Sequence, residues 1–288
     1  VTAFDTFLLL WLQRWGMRTI EAAILALVAT IGACFLVQIF MAQPDMGAVF
    51  VGLRPTLPPG ALFVAIGILG ATVMPHNLYL HSSLVQTRRH EESTRGKREA
   101  IRFATIDSTL ALALALLVNA AIMILAAGAF HRPGAAPVTE LGDAYRLLSP
   151  LLGVGIASAL FGVALICSGL SSSVTGTLAG QIVMEGFLDI RISPAVRALL
   201  TRSVAIVPAV VVTAWYGSTG ANALLVFSQV ILSLQLPFAI VPLLLFTTRA
   251  RHLGAFAYRR PMAVLLWAAA AVVVVLNAWL LQQLVFAG

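Results

Sequence analysis

The sequence predicts an all-α integral membrane protein, on three observations. Hydrophobic residues fill 60% of 288 positions and charged residues only 10%, with a mean hydropathy of +0.97. A soluble domain carries about 25% charged residues. Seven apolar runs, at 20–42, 61–88, 103–129, 148–172, 199–216, 221–246 and 262–286, each approach the roughly 20 residues a membrane helix needs. Basic residues alternate between the connections. One side holds Arg14, Arg18, six residues within 88–102, then Arg191, Arg197, Arg202, Arg249, Arg251, Arg259 and Arg260. The other side holds only Arg54, Arg132 and Arg146.

That alternation is the positive-inside pattern applied to every loop in turn. It predicts a multi-pass protein of the cell's inner (plasma) membrane, solvated by the lipid bilayer, with the C-terminus outside. It also explains the net charge of +7 without nucleic acid, which is excluded as a partner. The chain opens on Val1 and shows no signal-peptide pattern. Residues 1–13 read as the tail of a further helix, so a fragment of a longer protein is expected. Cys34 and Cys167 both lie in apolar runs and read as small core residues, not as a disulfide or zinc framework.

The span 20–42 carries one polar group in its outer half, Gln38, and ends at Gln43-Pro44-Asp45. Turn formers Pro55, Pro58, Pro59 and Gly60 lead into the span 61–88. Gly67 and Gly70 thin the first half of that span and permit close backbone packing. The span 103–129 starts with Asp107 and Ser108 and buries Asn119. The next helix is rich in small residues, Ser168 to Gln181, for which tight packing is the default reading and a polar face along a water path the functional one. The span 199–216 carries Arg202 and Pro208. In 221–246, Gln229 and Ser233 stand one turn apart. The span 262–286 is apolar apart from Asn277 and reads as a peripheral support.

The unusual element is Met74-Pro75-His76-Asn77 in the middle of 61–88. Pro75 lacks an amide hydrogen and clashes with the carbonyl four residues back, on Ala71, while Met74 is pushed away from helical angles. A broken helix in lipid persists only where its freed backbone is buried in protein or lines a cavity. The break therefore offers carbonyl oxygens and a thioether at mid-membrane, the position where discontinuous transporter helices hold substrate. Sulfur favours late transition metals over Mg²⁺ and Ca²⁺. Past the break, Asn77 and His81 share a face and His76 is turned away. Imidazoles titrate near neutral pH, as a proton relay requires.

Each feature alone has a bland reading. A membrane Met usually fills space. A lone His is more often a hydrogen-bonded core group, and Gln229 is as readily an inter-helix hydrogen bond as a ligand. Asp107, Glu185 and Arg202 sit near helix ends, where snorkelling competes with proton movement. It is the concurrence of break, sulfur, imidazole and amide within four residues that favours a site. No nucleophile, phosphate-loop or metalloprotease pattern is present, so the chain does not read as an enzyme.

The run Gly70-Ala71-Thr72-Val73-Met74-Pro75-His76-Asn77-Leu78-Tyr79-Leu80-His81-Ser82-Ser83 resembles the sixth-helix signature of the Nramp divalent-metal transporters. Residues 168–181 resemble that family's eighth helix and 228–238 its tenth. The resemblance implies a LeuT-type fold of two inverted five-helix repeats. This chain would then be one transmembrane domain, running from the end of helix 4 (1–13) through broken helix 6 (61–88) to helix 11 (262–286), with helices 1–3 of the same protein as its missing partner.

It further implies proton-coupled uptake of Mn²⁺, Fe²⁺ and similar ions by alternating access. The metal is cargo and no resident cofactor is expected. Met74 would be the sulfur ligand, Ala71 the carbonyl ligand and Gln229 a ligand in some conformations. His76 and His81 would line the proton or metal route, and Asn77 and Arg202 are placed with them. The family's Asp-Pro-Gly-Asn motif of helix 1 and its acidic residue on helix 3 are absent from this sequence. The alternative is a sodium-coupled amino-acid or other organic-solute carrier of the same fold.

Overall fold

The computed structural model describes residues 15–54, 56, 61–130, 138, 140–153, 155–186 and 193–286. The expected partial helix at 1–13 and the turn residues Pro55, Pro58, Pro59 and Gly60 lie outside them. Every regular element among the described residues is helical. In chain order these are α1 (Met17–Ala42), α2 (Met46–Gly52), α3 (Leu62–Thr72), α4 (Pro75–Gln86), α5 (Thr94–Phe130), α6 (Leu141–Leu152), α7 (Ala157–Gly186), α8 (Pro194–Thr248), α9 (Ala250–Leu253), a 3-10 turn (Gly254–Phe256) and α10 (Arg260–Phe286). Six segments are long and apolar enough to cross a membrane: Arg18–Ala42, Leu62–Gln86, Thr94–Phe130, Ala157–Gly186, Gly220–Thr248 and Arg260–Gln283. Within the expected span 199–216, the apolar stretch is Ile206–Gly217.

Local chemistry shifts several boundaries from those that hydropathy sets. Asp45 caps α2 by accepting from the Gly47 amide at 2.8 Å, so part of the outer loop is helical. The helix expected at 103 begins at Thr94. Ser93 accepts from the Gly96 amide at 3.0 Å, and the charged turns beyond it are good helix formers, though too polar to count as span.

The expected span 148–172 is corrected. Residues 148–152 close the separate helix α6, of twelve residues and too short to cross a bilayer, and the crossing helix α7 runs from Ala157 to Gly186. A reciprocal pair makes the corner. The Ser149 hydroxyl accepts from the Ser158 amide at 2.9 Å and donates to the Gly155 carbonyl at 3.1 Å, and the Ser158 hydroxyl accepts from the Ser149 amide at 3.1 Å. Gly153 takes the left-handed conformation (φ 68°) that ends α6. The small-residue run 168–181 lies inside α7, as expected. In α8, Gly217 (φ 67°, ψ −154°) interrupts the helix between the stretches expected as two spans.

The chain forms two compact units. The first comprises Val1–Pro55 and Ile101–Pro208, the second Thr56–Ala100 and Ala209–Gly288. The first unit packs Ile31, Cys34 and Phe35 of α1 with Ala121, Leu125 and Ala129 of α5, Leu148 of α6, and Ala157 and Ala164 of α7. The alanines let the helices approach closely. Gln38, fully buried, donates from Nε2 to the Ala157 carbonyl at 2.7 Å. The second unit packs Leu62 and Ile66 of α3 with Val230 of α8 and Leu280 of α10. Many large apolar side chains, such as Leu110, Leu112, Leu116 and Leu117 of α5, point outward. In water that surface would be a liability; lipid solvates it.

Candidate functional site

The break in the span 61–88 is two residues long. α3 ends at Thr72; Val73 (φ −110°, ψ 78°) and Met74 (φ −77°, ψ 126°) leave the helical region; α4 restarts at Pro75. Proline suits the first helical position because its missing amide hydrogen is not needed there. The Val73 amide closes α3 on the Leu69 carbonyl at 2.8 Å, and the Asn77 amide bonds the Met74 carbonyl at 3.1 Å. The Ala71 carbonyl would need the amide of residue 75, which is proline, so it has no helical donor. Ala71 and Met74 are both half-buried. An orphaned oxygen and a thioether thus flank the same bend.

The 220–248 part of α8 lies directly against this bend. A Cβ at Gly70 would overlap the Gln229 carbonyl and stand 2.8 Å from the Ser233 amide nitrogen. Gly70 is therefore the position where the two backbones touch, one residue before Ala71. On that part of α8, Gln229 Oε1 and Ser233 Oγ are buried with no hydrogen-bond partner among the described residues. Unsatisfied buried polar atoms cost about 1–3 kcal/mol each and call for an explanation. Here they line the helix that faces the break.

Of the residues the sequence singled out, Ala71, Met74 and Gln229 fall on these two touching segments. His76 is half-buried on the first turn of α4, while Asn77 and His81 are exposed farther on. Arg202 is in the helical backbone of α8 in the first unit, and its side chain lies outside the described residues. Among the described residues no three His, Cys, Asp or Glu side chains gather into a metal-binding group. The donors at the bend are neutral oxygens and sulfur. Sequence reasoning paired Gln229 with Ser233 by spacing, but did not single out Gly70 from Gly67. That distinction depends on contacts with α8 that no spacing encodes.

The family of Natural resistance-associated macrophage protein-like (Nramp) proteins matches residues 1–283. The chain belongs to the Nramp family. Among its curated relatives, the divalent metal cation transporter MntH of Bradyrhizobium diazoefficiens is 55% identical over 98% of this Nramp chain. MntH of Listeria monocytogenes is 54% identical over 98% of it. The Nramp chain spans about 64% of the length of these relatives. A crystal structure of the Eremococcus coleocola manganese transporter, bound to an aromatic bis-isothiourea substituted compound, superposes with a TM-score of 0.82. It is 36% identical, over 96% of this chain and 62% of that one. The fold is the LeuT type, in a multi-pass membrane protein whose relatives are named as transporters and not as enzymes.

Proposed function

We propose that this chain forms the metal-handling part of a carrier that takes up Mn²⁺, Fe²⁺ and similar divalent ions together with protons, by alternating access. The observation that carries the reading is the bend itself. A proline-orphaned carbonyl on Ala71 and the Met74 thioether lie on a segment touching the helix that bears Gln229. That donor set is neutral and partly soft, so it favours Mn²⁺ and later transition ions over Ca²⁺. Its relatives' names as divalent metal cation transporters support the same cargo. The metal is substrate and not a resident cofactor. Among the described residues, no group of three or more His, Cys, Asp or Glu side chains adds anionic ligands to this neutral set.

His76, Asn77, His81 and Arg202 are assigned to the route for protons and metal. Imidazoles suit it because a ring nitrogen can either hold a proton or accept one. The basic loops belong on the cytoplasmic side of the plasma membrane and the C-terminus outside. The sodium-coupled organic-solute reading has no observation in its favour.

The test is Met74→Ala in the complete transporter, with Mn²⁺ uptake measured against rising Ca²⁺. Loss of the sulfur should let Ca²⁺ compete where it did not before. A variant that discriminates against Ca²⁺ as well as the parent would overturn the sulfur's role.

A further inference from the structure

We propose that Ser228 is a positioning residue that fixes which end of the Gln229 amide faces the cargo. The inference rests on the reading of Gln229 as a metal ligand and deepens it. An amide presents an oxygen acceptor at one end and an NH₂ donor at the other, and only the oxygen can bind a cation. Which end faces the bend is set by the hydrogen bonds that the amide makes.

The geometry around residue 228 sets that choice. The Ser228 hydroxyl donates its one proton to the Leu225 carbonyl at 2.8 Å. While the proton is directed there, the oxygen facing Gln229 serves as an acceptor. Gln229 Nε2 donates to it at 3.3 Å. The opposite end, Oε1, is thereby left buried and unpartnered. While Ser228 bonds Leu225, the relay from Gln229 Nε2 to Ser228 Oγ to the Leu225 carbonyl runs in this direction. Reversing the amide would require the Ser228 hydroxyl to give up its bond to the Leu225 carbonyl and donate to Oε1 instead. The same residue's backbone carbonyl is the atom against which Gly70 packs, so the oriented amide belongs to the turn of α8 that meets the bend. Nothing in packing alone requires a hydroxyl at 228, which is only half-buried.

The experiment compares Ser228→Val with Ser228→Thr, a pair of near-identical shape that differ in the hydroxyl, in the complete transporter reconstituted in proteoliposomes. Melting temperature verifies that both fold. Ser228→Val should raise the KM for Mn²⁺ about three- to tenfold, the worth of one neutral hydrogen bond, with little change in maximal rate. Ser228→Thr should restore it. In a Gln229→Ala background the Val substitution should add nothing, because there is no amide left to orient. Equal KM for Ser228→Val and the parent, with KM raised by Gln229→Ala, would overturn this inference and leave the ligand reading standing. So would additivity of the two changes. If Gln229→Ala itself leaves KM unchanged, the ligand reading fails and this inference with it.

Discussion

Gly70→Ala is the smallest change that should separate the bend from its neighbour. The added methyl would overlap the Gln229 carbonyl and stand 2.8 Å from the Ser233 nitrogen, where ordinary contact begins at 3.4 Å. Restoring ordinary contact with Ser233 alone takes a displacement of about 0.6 Å, and the Gln229 carbonyl, which stands closer still, takes more. Both obstacles are backbone, so no rotamer change relieves them. Overpacking of this kind costs about 1–3 kcal/mol. Metal ligands tolerate departures of only about 0.2 Å from their preferred distances. A shift of that size therefore pulls Gln229 out of register with Ala71 and Met74. The expected outcome is a lower melting temperature and a KM for Mn²⁺ raised at least about tenfold, or ~1.4 kcal/mol. Gly67→Ala is the control, one turn away on the same helix. Its methyl would meet Val230 Cγ2 at 3.6 Å, an ordinary side-chain contact, and should be neutral or mildly stabilising. A Gly70→Ala protein as stable and as avid as the parent would refute the close approach.

Pro75→Ala supplies the amide that the Ala71 carbonyl lacks, so the helix can heal. Thermal stability should hold or rise while Mn²⁺ uptake falls about tenfold or more; retained uptake would show that the break is dispensable. Gln38→Ala should cost about 2–4 kcal/mol in chemical or thermal unfolding, since it opens a cavity and removes the 2.7 Å bond to Ala157. Gln38→Met should cost much less. It keeps the volume and also removes Oε1, which is buried without a partner. Ser158→Ala removes one half of the reciprocal cap at the start of α7 and should lower stability by about 0.5–2 kcal/mol, with uptake per folded molecule unchanged.

Much of the architecture is readable from sequence because its causes are local or bulk. Proline chemistry fixes the break at residues 73 and 74 without any knowledge of neighbours. Hydropathy reveals the crossing helices because lipid imposes one rule on all of them. What fails is whatever a second, distant residue decides. Hydropathy is blind to the Ser149–Ser158 pair and so misplaces the start of α7. Gly67 and Gly70 are equivalent as letters, yet only Gly70 meets backbone closer than ordinary van der Waals contact. The span 262–286 reads as peripheral, although Leu280 is fully buried against α3. A Ser-Gln pair at 228 and 229 is an ordinary dipeptide until the hydroxyl proton is traced to Leu225.

Anomalous diffraction from crystals of the complete transporter soaked in Mn²⁺ addresses the central assertion directly. The account predicts a peak bonded to the Ala71 carbonyl oxygen and the Met74 sulfur at the bend. A well-occupied peak elsewhere, with α3 and α4 still parted at Val73 and Met74, would contradict it.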